Sequence, residues 1–193
     1  MDKIILASGS PRRKQLLELA EISFEVMVSE TDEAYPPGLS PAETAIYIAT
    51  NKALAVQKKI ITVSNDNGHT IIGADTVVVL QDEVIGKPSD RKNAIAILTK
   101  LSGKIHKVIT GVCILSGSNK NVFAEETEVE FHKLSSSQIE YYVDHYKPYD
   151  KAGAYAIQEW IGAIGVKSIN GDFYNVMGLP VSRVVRMLVN IED

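Results

Sequence analysis

The sequence predicts an α/β fold with one mixed, twisted β-sheet, and three observations support this class. The chain opens with a short apolar run at 3–7, a Ser/Gly/Pro loop and then leucines at helical spacing, an order typical of strand, loop and helix. Residues 69–80 are apolar on both faces except at two positions, which is typical of a central strand. Residues 105–115 and 122–132 predict a β-hairpin. Since hairpin and crossover connections occur in one chain, the sheet should contain both parallel and antiparallel pairs.

Capping residues mark the helices that follow. Ser40 and Glu43 form a capping box with proline at the first helical position. Ser135 and Gln138 cap a later helix, and Gly103 is a typical helix stop. The predicted helices after the first cover 41–58, 90–102, 135–148 and 180–188.

Less regular structure is predicted for two segments. A short strand at 24–28 is followed by acidic residues and a Pro/Gly breaker, so residues 30–38 should form a polar loop. A glycine-containing segment at 152–178 should carry short strands.

Length and composition favour a single domain. The 193 residues suit one domain over 1–193, with two small lobes sharing a core, and 45% apolar with 23% charged residues is enough to bury that core. The net charge of −4 provides no global positive field for nucleic acid or an anionic membrane. We expect neither as a partner, so any anionic ligand must meet a local basic cluster.

Several classes of protein are disfavoured by what the sequence lacks. A single cysteine, Cys113, excludes an internal disulfide and fits a reducing compartment. The N-terminus has no apolar stretch long enough for a signal peptide, and no window approaches the roughly 20 apolar residues of a membrane helix, so a cytoplasmic protein is expected. The P-loop, G-x-G-x-x-G and H-E-x-x-H motifs do not occur, and the four histidines show no ligand spacing.

Three cations, Arg12, Arg13 and Lys14, lie in the first turn of the first helix. Since the N-terminal end of a helix is already partly positive, these side chains need a negative partner. The preceding residues 8–10 offer small hydroxyls and backbone N–H groups, and arginine pairs with phosphate in bidentate fashion. The segment predicts a phosphate site. The alternative is a solvated charged turn with Ser10 as an ordinary N-cap.

Asp75 is a carboxylate within an otherwise apolar strand. Burying a carboxylate without a partner costs on the order of several kcal/mol, so Asp75 must be paired, bound to metal or functional. The sequence predicts a catalytic or metal-holding role. The alternative is a structural carboxylate bound to backbone amides.

Three lysines are further candidates. Lys52 lies on the apolar stripe of its helix, where it is either a functional cation or a side chain that snorkels to solvent. Lys87 follows a short strand in an Ile-Gly-Lys-Pro loop, which alone is weak support for a site. An ordinary turn lysine is the favoured interpretation of Lys151.

Five segments, taken in order, resemble those of one family. They are LASGSPRR at 6–13, SETDE at 29–33, IIGADTVV at 71–78, GKP at 86–88, and DKAGAYAIQ at 150–158 with GDFYNVMGLP at 171–180. The sequence is identified on these motifs as a member of the Maf family of nucleoside triphosphate pyrophosphatases. The match extends over essentially the whole chain.

The resemblance implies an inosine-triphosphatase-like fold with two α/β lobes around a central cleft. It implies hydrolysis of a nucleoside triphosphate to the monophosphate and pyrophosphate, as in house-cleaning of the nucleotide pool, with a divalent cation such as Mg²⁺ or Mn²⁺. A homodimer is also implied. The family carries an association with septum formation, so a non-catalytic regulator of cell division is the alternative function.

The resemblance also assigns roles by matching motif. Asp75 matches the proton acceptor of the family, and Glu33 with Asp75 matches the metal site. The positions associated with substrate are Ser8, Arg12, Arg13, Lys52, Lys87 and Gln158.

Base preference follows from two of these positions together with Thr76. Arg12, Thr76 and Gln158 match the positions that mark the branch of the family acting on dTTP and UTP. The amide of Gln158 offers a donor and an acceptor that suit the carbonyl and adjacent N–H of uracil or thymine. Whether the cellular substrate is a canonical or a modified pyrimidine nucleotide is left open.

Overall fold

The computed structural model of the chain describes residues 3–64 and 68–192, and its contacts divide the chain into two compact units. Unit 1 comprises Met1–Asp75, Thr110–Glu125 and Gly178–Asp193. Unit 2 comprises Thr76–Ile109 and Glu126–Met177. The single domain expected over 1–193 stays a prediction.

Strands and helices alternate along the chain. The strands are β1 (Lys3–Leu6), β2 (Phe24–Val26), β3 (His69–Leu80), β4 (Glu83–Ile85), β5 (Ile105–Ser116), β6 (Asn119–Phe131) and β7 (Val166–Asn170). The helices are α1 (Pro11–Leu19), α2 (Pro41–Ser64), α3 (Arg91–Leu101), α4 (Ser136–Tyr146), α5 (Trp160–Gly165), α6 (Phe173–Met177) and α7 (Val181–Glu192). A short 3-10 turn covers Ala152–Ala154.

The sheet is mixed, as the sequence predicts. Its strand order is β2-β1-β3-β5-β6-β7, with β4 also paired to β3. Strand β1 pairs in parallel with both β2 and β3, whereas β4 is antiparallel to β3 and β7 is antiparallel to β6. The predicted α/β class is therefore confirmed, and the central strand is observed with the predicted bounds.

In unit 1, helix α2 lies directly against the sheet. Ala49, Ala53 and Val56 of this helix are buried with Ile5 and Ile71 of the neighbouring strands. The approach is close because glycine faces the helix: a Cβ added to Gly73 would lie 2.2 Å from the carbonyl oxygen of Ala49. A second glycine of unit 1, Gly111, meets the backbone of the same helix at Ala45 in the same way.

Unit 2 has its own apolar core. Helices α3 and α4 contribute buried residues that include Leu98 and Tyr142, and these pack with Phe131 of β6 and Tyr155. The capping box predicted for Ser135 and Gln138 is present. No helix among the described residues combines the length and apolar character needed to cross a bilayer.

Three predicted segments differ from the structure, one of them the last helix, which runs to Glu192 rather than 188. Helix α2 runs to Ser64 rather than 58, because Ile60 continues the buried stripe one turn beyond Val56. The segment 152–178 contains one strand, with a 3-10 turn and the short helices α5 and α6 in place of further strands. Helix α5 forms in spite of its glycines because Gly162 lets the helix pack onto the carbonyl of Ile157, which a Cβ would meet at 1.7 Å.

Replacing Gly73 tests the contact between helix α2 and the sheet. Gly73→Ala should lower the free energy of unfolding by about 1–3 kcal/mol, because the added methyl group meets backbone rather than a flexible side chain. The measurement is urea unfolding followed by circular dichroism. Gly86→Ala is the matched control, since a Cβ there meets nothing within 4 Å. Equal stability of the two variants would contradict the close packing.

Candidate active site

The candidate site of unit 1 lies next to the carboxyl end of β1, which pairs in parallel with β3. Leu6 of β1 is paired with Ile72 of β3, and the backbone N–H of Ala7 donates to the carbonyl of Ile72 at 2.8 Å. Ser8 therefore follows the carboxyl end of β1, while β3 continues toward Asp75. Ligand sites in α/β sheets are common at this end of parallel strands.

The ammonium of Lys52 joins two carboxylates. Its Nζ donates to Oδ1 of Asp75 at 2.7 Å and to Oε1 of Glu33 at 2.8 Å. The Lys52 side chain is 17% exposed and that of Asp75 is 13% exposed, whereas that of Glu33 is 50% exposed. Lys52 thus reaches a carboxylate inside the unit instead of snorkelling to solvent. Helix α2 brings Lys52 close to Asp75 because the helix packs closely on β3 at Gly73.

The two oxygens of Asp75 differ in their surroundings. Oδ1 accepts from Lys52, and no hydrogen bond to Oδ2 is present within the described part of the chain. Neither oxygen is bonded to a backbone amide there, so the alternative of a carboxylate tied to strand amides is not what the structure has. A carboxylate held by a cation on one oxygen only suits a proton acceptor.

Arg13 is buried at the start of helix α1. Its Nε donates to the carbonyl of Gly178 at 2.8 Å, and its Nη1 donates to Oγ of Ser8 at 3.0 Å. Burial lowers the pKa of the Arg13 guanidinium, the charges of Asp75 and Glu33 act to raise it, and that of Arg12 lowers it further. The guanidinium nevertheless stays charged at neutral pH, because its ordinary pKa is so high. Buried positive charge thus stands within electrostatic range of Asp75.

The first turn of helix α1 keeps its positive character. It contains no acidic residue, and Arg12 there is half-buried. Ser10 occupies the N-cap position, yet its side chain makes no capping hydrogen bond; instead its backbone N–H donates to Oγ of Ser8 at 3.3 Å. The alternative of an ordinary serine cap is therefore not what is observed.

Three predicted site residues belong to unit 2. Thr76 follows Asp75 in β3 and is half-buried, and Gln158 is exposed. Lys87 is also exposed and lines a cavity of about 290 Å³ together with Asn93 and Lys100 of helix α3. Within unit 1 the structure thus brings Arg13 into contact with Ser8, and Lys52 into contact with Asp75 and Glu33. Arg12 also belongs to unit 1, while Thr76, Lys87 and Gln158 belong to unit 2.

The donor atoms of Asp75 and Glu33 indicate which kind of metal ion the two carboxylates could bind. Asp75 and Glu33 place one oxygen each on the same ammonium, so both can serve a single cation. Mg²⁺ is commonly held by one or two carboxylates, with phosphate oxygens and water as its other ligands. No group of three or more His, Cys, Asp or Glu side chains suited to a metal occurs in residues 3–64 and 68–192. The donor set fits an ion that is shared with a phosphate ligand.

Sequence reasoning missed residues whose partners are far away in the chain. Asn175, in the GDFYNVMGLP motif, is fully buried, and its Nδ2 donates to the carbonyl of Val108 at 3.1 Å and to Oγ1 of Thr127 at 3.0 Å. Gly178 of the same motif accepts from Arg13. Lys151 is buried rather than an exposed turn residue. Only the occurrence of these residues in long motifs could have signalled them.

His106 is a core residue of unit 2. It is buried, its Nε2 forms a hydrogen bond with the Tyr155 hydroxyl at 2.7 Å, and its ring packs edge-on against Phe131. Burial lowers the pKa of His106 to about 4, so the ring is neutral at physiological pH. Its surroundings are those of a packing residue.

A partly buried carboxylate, a buried arginine and a positive helix start are features typical of sites that bind phosphate-bearing ligands. The sequence matches the family of Maf-like proteins over residues 3–191, and the chain belongs to this family. The resemblance predicted from the five motifs is confirmed.

Curated relatives cover almost the whole chain. It is 52% identical over 188 residues to the dTTP/UTP pyrophosphatase of Parabacteroides distasonis, which covers 96% of this chain and 94% of that protein. The corresponding enzyme of Cytophaga hutchinsonii is 49% identical, over 94% of this chain and 81% of the relative. That of Bacillus cereus is 47% identical, over 97% and 95%. These names describe an enzymatic activity and do not favour the alternative of a non-catalytic regulator.

One similar solved structure is a distant match. The Ham1 protein of Staphylococcus aureus has a TM-score of 0.44 and 16% identity, over 67% of this chain and 71% of that chain. This likeness carries no argument about the site.

Replacing Lys52 and Glu33 in turn compares the contributions of the two ion pairs to stability, because the two carboxylates differ in burial. Lys52→Met should lower the free energy of unfolding by on the order of 2 kcal/mol, because it leaves the Asp75 carboxylate buried without its cation. Glu33→Gln should cost less than about 1 kcal/mol, since Glu33 is half exposed.

Urea unfolding of both variants provides the measurement. Lys58→Met, an exposed lysine on the same helix, controls for the loss of a lysine from α2. If Lys52→Met were as stable as Lys58→Met, Lys52 would not neutralise a buried carboxylate.

Proposed function

We propose that this chain hydrolyses dTTP and UTP to the nucleoside monophosphate and pyrophosphate. The observation that carries the proposal is the Asp75 carboxylate, held on one oxygen by Lys52 within a unit that also buries Arg13. Support comes from relatives named dTTP/UTP pyrophosphatases at 47–52% identity over nearly the whole chain. The class of enzyme proposed is a hydrolase acting on acid anhydrides.

The cations of the site would hold the triphosphate. Phosphoryl transfer depends mainly on positioning and charge neutralisation, and arginine and lysine supply both. We assign this role to Ser8, Arg12, Arg13, Lys52 and Lys87. Ser8 is suited to it because its hydroxyl is already oriented by the Arg13 guanidinium.

Asp75 would be the proton acceptor. A water molecule attacks the α-phosphorus, its proton passes to the carboxylate, and the bond from the α-phosphorus to the bridging oxygen breaks, so that pyrophosphate leaves. The oxygen Oδ2 is suited to accept the proton because Oδ1 accepts from Lys52.

Asp75 and Glu33 would hold the divalent cation, Mg²⁺ or Mn²⁺. When bound, such an ion offsets negative charge on the triphosphate and on the two carboxylates. Lys52 supplies part of the same neutralisation from the protein itself, because its ammonium contacts both carboxylates.

Arg12, Thr76 and Gln158 would select the base. Gln158 is suited to a uracil or thymine edge because its amide carries both a donor and an acceptor, and it is exposed on its turn. A cytoplasmic location and a homodimer complete the proposal; the first is expected from the sequence and the second from the resemblance.

Replacing Asp75 tests the reaction. Asp75→Asn should lower kcat by about 10²–10⁴-fold, the usual contribution of a general base, while UTP still binds and the fold is kept, because the amide oxygen can still accept from Lys52. Product chromatography with UTP should show UMP and pyrophosphate for the wild type. Asp82→Asn, an exposed residue, is the control. UDP with orthophosphate as products, or near-normal turnover by Asp75→Asn, would refute the proposal.

Replacing Gln158 tests the choice of base. The wild type should prefer dTTP and UTP over CTP and GTP in kcat/KM. Gln158→Ala should reduce the preference for UTP over CTP by at least about tenfold, because hydrogen bonds left unmade in a desolvated site cost on the order of 1–3 kcal/mol. A wild type that prefers GTP, or unchanged ratios in the variant, would show that Gln158 does not select the base.

A further inference from the structure

Gln158 projects from a tight turn whose other residues are buried. The backbone N–H of Glu159 donates to the carbonyl of Ala156 at 3.1 Å, which closes a turn over residues 156–159. Ala156 and Ile157 are buried, and Gln158 is exposed. Of the two central residues of the turn, Ile157 therefore anchors it in the core and Gln158 presents its side chain to solvent.

The hydroxyl of Tyr142 binds both ends of this turn. It accepts from the backbone N–H of Ala156 at 3.2 Å and donates to Oε2 of Glu159. Tyr142 is fully buried in the core of unit 2, so its ring is fixed by packing. One hydroxyl group thus holds the first and last residues of the turn that carries Gln158.

Lys151 completes the network. Its Nζ lies 3.5 Å from Oε1 of Glu159 and 2.9 Å from Oδ1 of Asp150, and its side chain is only 9% exposed. A buried ammonium requires such partners, and Glu159 in turn requires a cation because Tyr142 supplies only one neutral donor. Because Glu159 is the last residue of the turn that carries Gln158, the ammonium of Lys151 supports that turn.

We propose that Tyr142, Lys151 and Glu159 are positioning residues that fix Gln158 and thereby set the preference for uracil over cytosine. This inference rests on the proposed role of Gln158 in base selection. The amide of Gln158 pairs with uracil when its donor and acceptor lie in one orientation. Pairing with cytosine requires the donor and the acceptor to exchange places. A firmly held turn keeps the Gln158 side chain at one position against the base edge, whereas a loosened turn lets it adjust to either base and so loses discrimination.

The test compares UTP with CTP in the intact protein. Tyr142→Phe keeps the buried ring and removes only the hydroxyl. It should reduce the ratio of kcat/KM for UTP over CTP by about tenfold, the scale of misplacing a contact group, mainly through a higher KM for UTP. Tyr141→Phe is the matched control on the same helix, because Tyr141 is exposed and lies outside the network. The ratio of kcat/KM for UTP over CTP in Tyr141→Phe should equal that of the wild type.

A charge series provides a second, independent measurement. Lys151→Met should lower the same ratio, and Lys151→Arg should largely restore it, because arginine can still pair with Glu159. A purely structural role would lower kcat/KM equally for both nucleotides, or lower thermal stability with the ratio unchanged. Either result would overturn the inference, as would Lys151→Arg behaving like Lys151→Met. Should Tyr142→Phe fail to fold, the lysine series decides.

Failure of this inference can be told apart from failure of the proposed function. If Gln158→Ala changes the UTP/CTP ratio but Tyr142→Phe and Lys151→Met do not, Gln158 selects the base without help from the network. If Gln158→Ala leaves the ratio unchanged, the proposed base selection fails and the positioning role is overturned with it.

Discussion

The site of unit 1 depends on one ammonium shared by two carboxylates. A carboxylate in the middle of an apolar strand is tolerated only when a cation accompanies it, and Lys52 provides that cation for Asp75. Lys52 can do so only because its helix lies almost in contact with the strand, which the missing side chain of Gly73 permits. A packing constraint two residues away from the carboxylate therefore determines whether Lys52 can reach it.

Arg13 combines a structural and an electrostatic function. Its Nε is committed to the carbonyl of Gly178, 165 residues away in sequence, and its Nη1 orients the hydroxyl of Ser8. The start of the last helical segment is thereby tied to the first loop of the chain. Loss of activity on replacing Arg13 would thus not separate lost phosphate binding from a displaced loop.

Local features of the sequence predicted much of the fold, and the long motifs predicted the family. Ser40 with Glu43, and Ser135 with Gln138, form their capping boxes because all partners lie within four residues. Asp75 was recognisable as unusual because charge interrupts a strand pattern. Its partner Lys52 was only an ambiguous lysine, since periodicity cannot distinguish an inward ion pair from a snorkelling side chain.

The residues that escaped sequence analysis depend on distant contacts. Burial of Asn175 requires β5 and β6 to be in place, and burial of Lys151 requires Glu159 and Tyr142 to converge. The glycines of α5 also misled the prediction of 152–178, because glycine disfavours a helix by propensity but here allows close packing. The roles given to Thr76, Lys87 and Gln158 came from the family resemblance and stay predictions.

The division of the chain gives the proposed function a physical logic. Asp75 and Thr76 are consecutive residues of β3, yet they belong to different compact units. The charges of unit 1 would act on the triphosphate, which is the same in every nucleotide, so they contribute equally to all substrates. Discrimination must then arise from groups that contact only the base, and those proposed here, apart from Arg12, belong to unit 2. Under this proposal, selectivity would change through the turn at Gln158, while the carboxylate, the lysine and the arginine that are assigned to the reaction stay in place.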